Sequence, residues 1–156
     1  MHGLEAGLFD LARLFLLPAL ALIVIALAYA FIALGAFLME WTQRRSGAYS
    51  SRLAAHQAAT GASSEDLELW IMKRLEWLRI TSRSAPMLGL VATMIPMGPA
   101  LLALGEGDGR SIGENLVVAF SGVVLALIAA SITHVILTIR RRWLLEELRS
   151  YERGLA

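Results

Sequence analysis

The 156-residue chain contains no cysteine. That excludes a disulfide framework, thiol chemistry and any cysteine-held metal site, and it leaves the redox compartment unreadable. Charge is scarce as well. Only 17% of residues are charged, and the net charge of +1 points to no nucleic acid and no acidic partner. The histidines (His2, His56, His134) have neither metal-ligand spacing nor carboxylate company, and no serine has a base at motif spacing. The one glycine-rich stretch, Gly105-Glu-Gly-Asp-Gly109, is acidic and has no lysine, so it reads as a tight turn and not a phosphate loop. No catalytic residue, metal or cofactor is implied.

What the chain does have is long apolar runs. It is 57% hydrophobic, with a mean hydropathy of +0.63. Residues 14–39 carry no charge, and neither do 85–105; 115–139 hold no Asp, Glu, Lys or Arg. Each run is about as long as the ~20 residues a helix needs to cross ~30 Å of hydrocarbon. The fold class is therefore all-α integral membrane, with three transmembrane helices. The turn over 106–114 is too short to let the second and third crossings separate, so they form an antiparallel hairpin.

Basic residues orient the chain. Arg44, Arg45, Arg52, Lys73, Arg74, Arg79 and Arg83 lie between the first and second runs, and Arg140, Arg141, Arg142, Arg149 and Arg153 follow the third. By the positive-inside rule these segments are cytoplasmic, leaving the N-terminus and the 106–114 turn outside.

Residues 1–13 hint at amphipathicity through Leu4, Leu8, Leu11 and Phe15, and read as an outer segment. Ala28-Tyr29-Ala30 imitates a signal-peptidase site. The leader lacks a basic start, however, and the apolar run continues well past that triplet, so a spanning helix over 14–39 is expected. It ends at Glu40-Trp41, an interfacial anchor. Within the cytoplasmic segment 40–84, Ser63 and Asp66 resemble a capping box opening a helix over 65–84. Leu67, Trp70, Ile71, Leu75 and Leu78 recur at helical spacing opposite Glu68, Lys73, Glu76 and Arg79. Only Pro86 stands between that helix and the second crossing, so one long helix is expected. Pro96 and Pro99 each remove a backbone donor, which suits a helix packed among others rather than bathed in lipid. The third crossing continues into an amphipathic helix over 140–156. There Arg140, Arg141, Arg142 and Trp143 sit at lipid-headgroup level. Polar groups inside the apolar runs are few: Thr93, Ser121, Ser131, Thr133 and His134, with Glu114 and Asn115 at the outer boundary. Such groups are functional candidates, although Ser and Thr also bond to their own helix backbone.

The run Leu75–Leu104 resembles the second-crossing signature of the MotA/TolQ/ExbB proton-channel family. Ala85-Pro86-Met87-Leu88-Gly89-Leu90 and Thr93 match its pattern, and Ala92 replaces the usual glycine. The variant Ile95-Pro96-Met97-Gly98-Pro99-Ala100-Leu101 resembles the archaeal branch. The third crossing is similar to the family less closely. With Glu114 set against the family glutamate, the family threonine falls on Ala119; in a register matched on Phe120 it falls on Gly122 and Val123. Neither offers a hydroxyl, and Ser121 is adjacent. The resemblance implies a ring, typically a pentamer of this chain, around the single transmembrane helices of an ExbD-, TolR- or MotB-like partner. It also implies proton or sodium flow along a path that takes in Thr93, Ser121 and Glu114. The absence of a mid-membrane carboxylate in this chain fits such dependence on a partner.

Overall fold

The computed structural model describes residues 7, 10–47, 51–61 and 63–155, and every regular element among them is an α-helix. His2, Leu4 and Leu8 lie outside the described residues. Helix α1 spans Leu16–Arg45, α2 Arg52–Thr60, α3 Ser64–Glu106 and α4 Gly109–Leu155. Three helical stretches, those containing α1, α3 and α4, are long and apolar enough to cross a membrane.

Local sequence explains where each helix starts and stops. A short helical lead-in over 10–14 meets α1 through a turn at Phe15. Pro18 sits in the first turn of α1, where a missing N–H costs nothing, yet it leaves the preceding helix without that donor. Helix α2 is capped by Ser51, whose hydroxyl oxygen accepts from the Ala54 N–H at 3.2 Å. Helix α3 opens on a full capping box: the Asp66 N–H donates to Ser63 Oγ at 3.3 Å, and the Ser63 N–H donates to Asp66 Oδ2 at 3.2 Å. It then runs 43 residues through Pro86, Pro96 and Pro99 without leaving helix.

The link between α3 and α4 is shorter than the 106–114 turn expected from composition. Gly107, at φ 74°, adopts the left-handed conformation that ends a helix cheaply only for glycine. Its N–H bonds to the Leu104 carbonyl at 3.2 Å, and the Asp108 N–H reaches the Ala103 carbonyl at 2.9 Å. Asp108 then caps α4, its Oδ1 accepting from the Arg110 and Ser111 N–H groups, each at 3.2 Å. The Ser111 hydroxyl also donates to this carboxylate, and these bonds hold it below the usual carboxylate range. Because the orphan groups of both helix ends are met within two residues, the helix resumes at once and 109–114 are helical.

Two kinds of packing join the helices. Along the apolar runs, the seam between α3 and α4 is built from small residues. Ala85, Gly89, Ala92 and Ala100 face Ala119, Gly122, Ala126 and Ala129, all buried. Helix α1 lies along this seam, Ile23 meeting Ala92 and Ala126, and Ala30 meeting Ala85 and Ala129. Within lipid no water is displaced by helix contact, so close approach and dispersion must supply the attraction, and small residues permit it. Beyond the apolar runs the core changes character. Leu67, Ile71, Leu75 and Leu78 of α3 bury against Leu144 and Leu148 of α4. There burial does displace water, at about 1.5–3 kcal/mol for each large aliphatic side chain. Thr133 is fully buried, but its hydroxyl donates to the Ala129 and Ala130 carbonyls of its own helix, so it needs no other partner. On the outer surface Leu17, Ile32, Met87, Leu102 and Phe120 are all more than 60% exposed, a face suited to lipid or to neighbouring helices.

Candidate ion-pathway flank and basic end

Thr93 is half-buried, and its hydroxyl donates to the Leu90 carbonyl at 2.7 Å. Ser121 is exposed. Their positions follow from the seam. A Cβ placed on Gly122 would lie 3.0 Å from the Ala92 Cβ, so these two residues face each other. One residue is a step of ~100° around a helix. Because the helices are antiparallel, residue 93 steps to one side of the seam and residue 121 to the other. Leu88, Leu125 and Ile132, which pack with α1, fall on the Ser121 side. Thr93 therefore lies on the flank away from α1, beside Val123. The two expected hydroxyls are not brought together within one chain.

Seven-residue steps keep positions on one side of a packed helix pair. The Thr93 side of α3 accordingly includes Arg79, Pro86 and Ala100, and that of α4 includes Val123, Ala130 and Leu137, of which Ala130 also joins the cluster around Ala30 of α1 and Leu137 the one around Ala33 and Phe37. Glu114 is at the hairpin end of α4, exposed and paired with Arg110 at 3.0 Å. Pro96 is buried and Pro99 half-buried on the inner side of α3.

At the opposite end, the arginine triplet splits in two. Arg140 turns inward and pairs with Glu40 at 3.0 Å. Arg44 bonds to both Glu40, at 3.4 Å, and Glu147. The Ser51 hydroxyl completes the group by donating to Glu147 at 2.8 Å. All four charged side chains are about four-fifths buried, with exposures of 16–21%. Trp143 also turns inward, stacked on Phe37 at 5.5 Å with the Arg44 guanidinium 4.5 Å from its ring centre. Arg141 and Arg142 stay exposed. Of the four residues expected at the headgroup level, then, two clamp α1 to α4 and two remain on the surface. The spacing of Glu40 and Arg44, four apart on one helix, carried a signal for this pairing. The contact with Arg140 and Glu147 could come only from the fold.

A buried ion pair destabilises strongly when one partner is removed. Arg140 Nε already has no hydrogen-bond partner among the described residues. Glu40→Gln should therefore lower stability by about 3 kcal/mol, read as a clear fall in the unfolding temperature of the solubilised protein. Glu40→Leu combined with Arg140→Met should recover most of that loss, because no charge is then left unpaired.

No curated protein and no solved structure matches this chain. The profile of the MotA/TolQ/ExbB proton channel family matches residues 45–153, which takes in α2, α3 and nearly all of α4. The matched span includes both arms of the hairpin and the Thr93 flank, so the chain, a multi-pass membrane protein, belongs to the MotA/TolQ/ExbB proton channel family.

Proposed function

We propose that the chain is a ring subunit of a proton or sodium channel, converting ion-motive force into movement of a single-helix partner of the ExbD, TolR or MotB kind. In this reading the basic end is cytoplasmic, in the inner or cytoplasmic membrane, and the Gly107 end faces out. Several copies, five in the expected ring, turn the Thr93 flank toward the axis and α1 toward lipid. The observation that carries the proposal is the placement of Thr93: a hydroxyl on the flank that α1 leaves uncovered. Physics asks for a second component. Moving one charge through 100 mV releases ~2.3 kcal/mol, and only a titratable or polar path can couple that to motion. The apolar runs supply hydroxyls but no carboxylate, so an acidic group must come from the partner helix.

The alternative is a family member acting as a scaffold, whose ring holds partners without passing ions. Val123, lying beside Thr93 where a second hydroxyl would complete a hydrated path, favours it. The two are separated by reconstituting the full chain with its partner in vesicles and imposing a membrane potential. Partner-dependent proton or sodium uptake by a ring-shaped particle supports the channel. An intact ring that holds the partner but passes neither ion supports the scaffold. A particle that is not a ring removes both.

A further inference from the structure

Where the apolar runs give way to the basic end, α3 and α4 enclose a groove of about 660 Å³. Arg79 and Arg83 line it from α3, and His134, Thr138, Arg141 and Arg142 from α4. No carboxylate lines it. Acids stand near it: Glu146 pairs with Arg142 at 3.7 Å on the exposed surface, Glu68 lines an adjoining groove with Arg79 and Arg141, and Glu76 lines another with Arg79. The guanidinium groups of Arg79, Arg83 and Arg141 make no ion pair among the described residues. Three exposed arginines without an ion-pair partner, set along one groove from two helices, make it a positive patch that favours an anion.

We infer that this groove binds a phosphate group, most directly the headgroup phosphate of an anionic phospholipid. Arginine presents a planar fork of donors that matches phosphate oxygens, and the His134 ring on the same groove can donate as well, while the Thr138 hydroxyl donates to the His134 carbonyl of its own helix. Depth fits as well. Arg83 lies just before the apolar run that starts at Ala85, and Arg141 just after the one that ends at Ile139. The groove thus straddles the level where hydrocarbon ends and headgroups begin. Leu137, on its wall, offers apolar surface to an acyl chain. A free phosphate ion has the same recognition chemistry without that apolar part. Arg79 and Leu137 lie on the Thr93 flank, so in the proposed ring the bound lipid would stand on the axis side of the subunit; the inference itself rests on the membrane-spanning reading and does not require ion conduction.

The test uses the full chain purified in neutral detergent, with bound molecules counted by mass spectrometry of the intact assembly. Short-chain phosphatidylglycerol should be retained on the order of tenfold more than the matching phosphatidylcholine. Arg83→Gln with Arg141→Gln should bring the two near parity. Arg110→Gln, which removes an arginine at the far end, should leave the preference intact. Inorganic phosphate decides the source: displacement of the lipid by millimolar phosphate assigns the groove to the free ion, and resistance assigns it to the lipid. Should the glutamine pair fail to assemble, Arg83→Lys with Arg141→Lys keeps the charges but loses the forks, and should lose part of the preference. Equal retention of both lipids by the parent chain overturns the inference, as does an undiminished preference in either double variant.

Discussion

Thr93→Val should reduce partner-dependent ion uptake by about tenfold or more while leaving the assembled ring intact. Valine matches threonine in shape, so the helix packing around residue 93 is preserved. Only the hydrogen bond from the hydroxyl to the Leu90 carbonyl disappears. That carbonyl keeps its place in the helical ladder, so stability should change by under ~1 kcal/mol. An ion or water at residue 93 feels the change differently. It meets a methyl where an oxygen stood, and one missing hydrogen bond of ~1.4 kcal/mol already corresponds to tenfold in rate. Ser121→Ala provides the internal comparison. Residue 121 lies across the seam from residue 93, on the α1 side, so its removal should leave uptake nearly unchanged. Equal losses in both variants would mean that the Thr93 flank does not face the path.

The largest structural effect is expected at Gly89. A Cβ there would stand 2.9 Å from the Ala126 Cβ and 3.4 Å from the Val123 Cα. Neither of these is the far end of a flexible side chain, so the helices themselves must part. Gly89→Ala should cost about 1–3 kcal/mol, and Gly89→Leu should abolish recovery of the assembled protein from membranes. Gly35→Ala in α1, where a Cβ meets nothing within 4 Å, should be neutral or slightly stabilising through helix propensity alone. Thermal unfolding and yield of the solubilised particle read all three. A tolerated Gly89→Leu would show that α3 and α4 do not pack along the small-residue seam.

Much of the architecture was legible because its signals are local and redundant. Uncharged runs fix the three long helices, and the Ser63–Asp66 spacing fixes the start of α3. The spacing of Leu67, Ile71, Leu75 and Leu78 fixes the face that packs on α4. Composition misleads at the connection, where Glu106–Glu114 looks like a loop. Polar composition cannot say that one glycine and one aspartate will satisfy both helix ends. Arg140 and Trp143 resemble a surface anchor in sequence because triple arginine beside tryptophan usually is one. Their inward turn depends on Glu40 and Phe37, about a hundred residues away, and no local pattern reports that. The candidate hydroxyls could be named from sequence, yet their opposite sides could not. That needed the facing of Ala92 and Gly122, a fact about register between helices.

The tightness of the Gly107–Asp108 connection constrains how this subunit can move. Two helices joined by a long loop can slide past each other by one turn, ~5.4 Å. Here the joint has no slack, and the close Gly89–Ala126 and Gly122–Ala92 approaches hold α3 against α4. Helices α3 and α4 must therefore swing as a single beam. Helix α3, at 43 residues, is ~65 Å long. A tilt of roughly 5° about the hairpin would carry its other end through roughly 5–6 Å. A small displacement beside Thr93 would thus be delivered, enlarged and undivided, to the arginine-lined end of the molecule.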